Sequence, residues 1–444
     1  MTTYHTHDWL SIPSKSIAFD PAHDVLWVDP DAPFSSSMTL VQDGADVVVS
    51  FIFMTVRLKG VSLAQLNGAN FQTSGGVSFV IGDETHGTSG DGLGQTITAS
   101  GAGYETIFGL GGDDHLTGLP GKVQATLIGG DGNDALRAGT SMWGQAGNDT
   151  LVAPVSGVSY LSGGAGNDVL DANHNPAAVA DYAGALGVEL VTKGVTVDLG
   201  VTGPQDTGVG KDTLIGIHEV VGTYYNDSLK GSPGDDTLYP YIGQDTVDGG
   251  GGFDYIGFDV FSFAGVKVDL AITTQQNTGQ DGLKTIRNVE GVLGSAGADT
   301  LLGGGGANDL QGKDGADTLF GRDGADTLNG GAGGDTLVGG AGADHFVFSA
   351  AGDSTVAAPD LIADFQQGID RIDLSAIDAN TAKAGTQHFH LGATAGHVGD
   401  VVVSLNNDHQ TVVDLYVNAD ATPDARILLS GQATQLAASD FIFS

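Results

Sequence analysis

Along residues 294–347 an apolar side chain returns at every ninth position, as Leu301, Leu310, Leu319, Leu328, Leu337 and Phe346. That period fits neither the 3.6-residue repeat of a helix nor the alternation of a long strand. A glycine-rich stretch precedes each apolar residue, so the pattern predicts a six-residue turn followed by a three-residue strand whose central side chain points inward. The units read GSAGADTLL, GGGGANDLQ, GKDGADTLF, GRDGADTLN, GGAGGDTLV and GGAGADHFV. Glycine holds positions one and four, and position six carries Asp299, Asn308, Asp317, Asp326, Asp335 and Asp344. A unit this short cannot bury its own apolar residue, so the units must stack.

Less regular copies precede this run. SGAGYETIF and GLGGDDHLT place Glu105 and Asp114 at position six, and GGDGNDALR, GQAGNDTLV and GGAGNDVLD supply Asp134, Asp149 and Asp168, with irregular spacers such as 138–143 between them. Another cluster offers Asp227, Asp236, Asp245 and Asp254. A longer duplication links the clusters. Asp181-Tyr182, GVTVDL, QDTG and Glu219 reappear as Asp254-Tyr255, GVKVDL, QNTG and Glu290. Nearer the start, VVVSF and VSFVIGD alternate in the manner of an antiparallel β module, with a short helix expected over 62–67. The expected divisions are 1–96 (β module), 97–180 (irregular roll), 181–221 (insert), 222–257 (roll), 258–293 (second insert), 294–347 (regular roll) and 348–444 (cap).

Charge sharpens this picture. Asp and Glu number 54 against 16 Lys and Arg, a formal charge of −38, and glycine fills 72 positions. Such a chain has no electrostatic affinity for nucleic acid or anionic lipid, and its counter-ion is a cation. Acidic, glycine-rich chains are often disordered, but here apolar residues at fixed intervals argue for folding that depends on neutralising the carboxylates. The absence of cysteine removes disulfides, thiolate metal sites and a cysteine nucleophile. The opening MTTYHTHDWL is unlike a Sec signal, and no apolar stretch is long enough for a membrane helix, so an export address is expected elsewhere.

The unit GGxGxDxUx resembles the calcium-binding nonapeptide of RTX (repeats-in-toxin) proteins. The resemblance implies an all-β fold: a stacked parallel β-roll solenoid, two repeats per coil, between an N-terminal β module and a C-terminal β cap. It implies several calcium ions held between turns. Asp299, Asp317 and Asp335 would stack on one edge, and Asn308, Asp326 and Asp344 on the other. Backbone carbonyls near positions one and three would complete the oxygen sets: Gly303, Gly305, Gly312, Asp314, Gly321, Asp323, Gly330, Ala332, Gly339 and Ala341. The segment GGAGADHFVF with DLIADFQQGIDRIDLSAID further resembles the C-terminal module of serralysin-type secreted metalloproteases. That resemblance implies an extracellular protein whose uncleaved terminal signal, LAASDFIFS, is read by a type I ABC transporter. It adds Asp353 and Asp360 as a further calcium site.

The chain departs from those proteases in having no HExxH, and the region before the repeats is short for their catalytic domain. No GxSxG supplies a lipase nucleophile. His5, His7 and His23 lie near Asp8 and Asp24 and are read as solvated side chains sooner than as a metal cluster. Trp9, Trp27 and Trp143 suit packing more than sugar contact. The expectation is a non-enzymatic, secreted calcium-binding protein that builds an extracellular layer, filament or biofilm matrix as a homo-oligomer or lattice, with a cell-surface polysaccharide as a further partner. The alternatives are a polysaccharide-active enzyme or a glycan-binding adhesin on the same scaffold.

Overall fold

The computed structural model describes residues 94–99, 104–119, 125–183, 192–258, 264–383, 385–392, 397–420, 422–430 and 436–443, together with the backbone of eight strands between Thr3 and Ile81. The chain falls into two units, Met1–Tyr224 and Tyr225–Ser444. Both are built almost wholly of strands, and among the described residues no helix is long and apolar enough to cross a membrane.

In the first unit Thr39–Asp43, Asp46–Phe51 and Met54–Lys59 form an antiparallel meander, which Ser14–Ala18 joins in parallel. The expected helix over 62–67 lies outside the described residues. The alternating segment Val77–Ile81 does not join the meander: it pairs in parallel with Tyr104–Gly111. Period-two alternation shows which face is apolar but not the direction of the neighbouring strand.

The roll of this unit has two parallel sheets. One passes through Tyr104–Gly111, Ala125–Asp131, Ser141–Ala146, Ser159–Ala165 and Ala178–Asp181. The other passes through Thr96–Thr98, His115–Thr117, Ala135–Arg137, Thr150–Val152, Val169–Asp171 and Lys211–Ile215. Residues 138–143 are therefore no interruption, because they run into the strand that completes a coil. Leu116, Leu136, Leu151 and Leu170 from one sheet, and Ile107, Leu127, Met142 and Leu161 from the other, are all buried in the core. Each such side chain contributes roughly 1.5–3 kcal/mol by leaving water. Trp143 is buried as well, which suits a packing role.

The second unit keeps the same plan with stricter spacing. Thr300–Leu302, Thr318–Asp323, Thr336–Ala341 and Asp360–Ile362 succeed one another on one side. Gly291–Leu293, Asp309–Gln311, Thr327–Asn329, His345–Val347, Arg371–Asp373 and Phe441–Ile442 do so on the other. The apolar residues at every ninth position, Leu301 through Phe346, have no exposed surface. Antiparallel strands Asp400–Leu405, Thr411–Leu415 and Ala425–Leu429 then close the sheet that continues from Asp360–Ile362. Asp440 is buried here, accepting from Gly368 N at 3.0 Å and Ala437 N at 2.8 Å, so the terminal strand is anchored to the preceding coil.

Candidate metal centre

Stacking the coils brings the position-six carboxylates into files. In the regular run Asp299 N donates to Asp317 Oδ1 at 2.7 Å, Asp317 N to Asp335 Oδ1 at 2.8 Å, and Asp335 N to Asp360 Oδ1 at 2.9 Å. On the opposite edge Asn308 N donates to Asp326 Oδ1 at 2.8 Å, Asp326 N to Asp344 Oδ1 at 3.0 Å, and Asp344 N to Asp370 Oδ1 at 3.1 Å. The turn fixes this geometry. Position-four Gly315 has φ 145°, and position two is left-handed at Lys313 (φ 79°), Arg322 (φ 80°), Gly331 (φ 87°) and Gly340 (φ 100°). Position one needs glycine for a different reason. A Cβ on Gly312 would stand 2.3 Å from Asp317 Oδ2 and 2.5 Å from the Gly330 carbonyl oxygen. A carboxylate oxygen and a carbonyl oxygen thus converge on the space that the missing side chain leaves.

At most steps of these files one carboxylate oxygen accepts from the preceding turn and the other has no partner. Oδ2 of Asp114, Asp134, Asp168, Asp254, Asp317, Asp326, Asp335, Asp344 and Asp360 is buried without a hydrogen-bond partner. A buried, unpartnered anionic oxygen is costly and repeated placement of one needs compensation. Burial pushes the carboxyls of Asp114, Asp134, Asp254, Asp326 and Asp335 up to about 6, with like-charged neighbours adding to the rise. For Asp168 and Asp317 the same cause raises them to about 7, and for Asp360 to about 8. Converging hard oxygens that resist ionisation without a partner fit a calcium ion, which takes carboxylates and backbone carbonyls together. Among the described residues no three acidic or imidazole side chains gather around one point, so backbone oxygens must supply the rest of each set.

The remaining candidates differ. Asp114, Asp134, Asp149 and Asp168 form one file, each backbone N–H donating to the next carboxylate at 2.7–2.8 Å. Glu105 lies away from it, in the opposite sheet and in register with Ala125. Asp227 N donates to Asp245 Oδ1, and Asp236 N to Asp254 Oδ1. Both oxygens of Asp299 are satisfied, by Val266 N and the Ser295 hydroxyl at Oδ1 and by Ser295 N at Oδ2. The Asn308 amide is also fully engaged, accepting from Gly304 N and donating to the Glu290 carbonyl. Oδ2 of Asp353 caps its own turn, at Ser349 N and Ala350 N. Among the carbonyls, Gly303 O is taken by the Arg322 guanidinium at 2.6 Å, and those of Ala332 and Ala341 accept from Gly315 N and Gly324 N at 2.9 Å. The carbonyls of Gly312, Gly321, Gly330 and Gly339 each face the position-one glycine of the preceding turn. Gly305, Asp314 and Asp323 lie in the same loops, at position three. The histidine group near Asp8 and Asp24 lies outside the described side chains.

Three file members were not anticipated. Asp212 accepts from Asp168 N at 3.0 Å, Asp370 ends the Asp326–Asp344 file, and Glu290 accepts from Asp254 N at 3.1 Å. For the first two a signal was present: an aspartate with an apolar residue two places on, as in Asp212-Thr213-Leu214 and Asp370-Arg371-Ile372.

The family described as Peptidase M10 serralysin C terminal matches residues 82–443. Serralysin A of Dickeya chrysanthemi is 37% identical over 92 residues, which is 20% of this chain and 18% of that protein. Serralysin C of the same organism is 36% identical over 92 residues, with the same shares. The match thus spans under a fifth of these curated relatives' length. Among solved structures, the AlgE6R3 subunit of the Azotobacter vinelandii mannuronan C5-epimerase aligns at 33% identity over 33% of this chain and 80% of that one, with a TM-score of 0.27.

Proposed function

We propose, for a chain that belongs to the Peptidase M10 serralysin C-terminal family, that it is a structural protein which folds on calcium outside the cell and assembles into an extracellular layer, filament or matrix. Family membership carries the coarser statement: this is a calcium-binding RTX repeat protein, extracellular and exported by a type I ABC transporter. The matched family is the C-terminal repeat region of serralysins and not their catalytic domain.

The observation that supports the finer reading most is the set of buried carboxylate files with an unpartnered oxygen at Asp317, Asp326, Asp335, Asp344 and Asp360. Asp317, Asp326, Asp335, Asp344 and Asp360, with the carbonyls of Gly312, Gly321, Gly330 and Gly339, would hold calcium between turns; bound there, the ion neutralises neighbouring carboxylates. The chain's own part is to order those oxygens through the N–H donations that link successive turns. Assembly is favoured by the economy of the second unit, whose described residues go into stacked coils and their cap. Exposed apolar Val155, Val158 and Tyr160, close together in one segment, add a surface that suits association.

The test is to return calcium to EGTA-treated protein and follow circular dichroism and particle images together. A cooperative gain of β signal followed by regular sheets or filaments is expected. Folded monomers that stay monodisperse would overturn the assembly reading, and an unchanged spectrum would overturn the calcium reading. A glycan-directed role has one observation in its favour: an open cleft of about 490 Å³ lined by Asp171, Asn173, His174, Asn175, Pro176, Ile215, Gly216 and His218. Asn173 and His174 are both left-handed there, at φ 51° and 62°, a backbone form that non-glycine residues adopt at a cost.

A further inference from the structure

One file ends on a cation that belongs to the chain. Gly243–Asp248 and Gly282–Arg287 pair in parallel with Asp245 opposite Lys284, so Lys284 stands where the next position-six carboxylate of the Asp227–Asp245 file would be. Its side chain is fully buried, and Nζ lies 2.7 Å from Asp245 Oδ2. The ammonium also donates to the carbonyls of Asp281 and Gly243. One carboxylate oxygen and two carbonyl oxygens are the donor types that the candidate calcium positions offer.

The internal duplication identifies Lys284 as a replacement. In the first copy Gln205 accepts from Asp198 N and donates to Asp198 O, and in the second Gln276 does the same with Asp269. Thr207 donates to the Gly210 carbonyl, and Thr278 to that of Gly282. Two residues after those glycines stand Asp212 and Lys284 respectively. In the first copy Asp168 and Asp212 meet as two carboxylates, with no lysine in the file. In the second the same step is a carboxylate and an ammonium.

We infer that the Lys284 ammonium occupies the cation position of this edge, so that the coil joining 243–248 to 282–287 is held shut without calcium there. The consequence is a built-in nucleus: a coil that stays closed at calcium levels too low to close its neighbours. A lysine long enough to reach one carboxylate and two carbonyls supplies positive charge intramolecularly, with no dependence on ion concentration. This inference rests on the calcium reading of the other files.

Hydrogen exchange of the full chain in EGTA, with ions counted by equilibrium dialysis at saturating calcium, tests it. Amides of Gly243–Asp248 and Gly282–Arg287 are expected to stay protected in EGTA while those of Thr318–Asp323 and Thr336–Ala341 lose protection. Lys284→Asp is expected to bind one more calcium ion than the parent, and Lys284→Met to lose the EGTA protection without gaining an ion. Loss of protection in this coil at the same calcium concentration as in Thr318–Asp323 would overturn the inference. So would an unchanged ion count in a Lys284→Asp chain that folds with calcium; if that variant does not fold, exchange in the parent chain decides. Absence of calcium binding by the parent would instead sink the calcium reading itself.

Discussion

The two units solve the same stacking problem with different chemistry on their edges. In the first, a hydrogen-bonded file of aspartates runs along one edge only, at Asp114, Asp134, Asp149, Asp168 and Asp212. The opposite edge is closed by neutral groups: the Thr140 hydroxyl donates to the Ala125 carbonyl at 3.1 Å, and that of Ser159 to Gly139 at 2.8 Å. An outer file of asparagines reinforces the acidic edge, Asn148 donating through both N and Nδ2 to Asn133 Oδ1, and Asn167 likewise to Asn148. In the second unit carboxylates run along both edges of the regular roll, and position five there is alanine or glycine with no side-chain donor to share. A coil closed by hydroxyls and amides carries its own partners, whereas one closed by two acidic edges needs a cation at both. On the proposed calcium reading, the regular roll of the second unit is therefore expected to be the more calcium-dependent.

Calcium removal is expected to separate the units most. In EGTA, hydrogen exchange should rise steeply across Thr318–Asp323, Thr327–Asn329 and Thr336–Ala341, and less across Ser141–Ala146 and Ser159–Ala165. Equal loss in both regions, or an earlier loss in the first, would break the comparison.

Acidity should sharpen it at constant zero calcium. Carboxyls raised in the folded state, Asp317 to about 7 and Asp360 to about 8, bind more protons folded than unfolded. Their neutral forms favour the fold, so their contribution is fully present below the unfolded carboxyl value, falls as pH rises above it, and is lost as pH passes through about 7 for Asp317 and about 8 for Asp360. The calcium-free second unit should accordingly show more β signal near pH ~4.5 than near pH ~8, and calcium binding near neutrality should release protons, measurable by titration in buffers of different ionisation enthalpy. A calcium-free chain whose structure improves with rising pH would contradict this sign.

The regular roll was legible because each of its requirements leaves a mark in sequence: glycine where Asp317 Oδ2 approaches, an acid at position six, and Leu319 or its equivalent two places later. The neutral edge of the first unit left none. Thr140 and Ser159 carry no glycine signature, so the half-coil through Ser141–Ala146 reads as a spacer until the register with Ala125–Asp131 is seen. Glu105 differs for the same reason, since GAGYET has the outline of a repeat but lies on the edge that carries no aspartate file. Lys284 is illegible for an opposite reason. A lysine in a strand ordinarily reaches solvent, and only the coil's closure buries it against Asp245.

The smallest difference expected is between single substitutions on the two kinds of edge. Asp326 lies between Asn308 and Asp344, accepts from Asn308 N, and keeps an unpartnered buried oxygen. Asp326→Ala removes both that acceptor and a proposed calcium ligand, so the calcium midpoint for folding should rise about tenfold, equivalent to about 1.4 kcal/mol. Ser159→Ala removes one buried hydroxyl's donation to Gly139 and should cost about 1 kcal/mol in denaturant unfolding at saturating calcium. Its calcium midpoint should barely move, because no cation is asked of that edge. Stability losses alone would not distinguish the two variants; the shift in calcium midpoint does, and a Ser159→Ala midpoint displaced as far as that of Asp326→Ala would mean that the neutral edge is no less calcium-dependent than the acidic one.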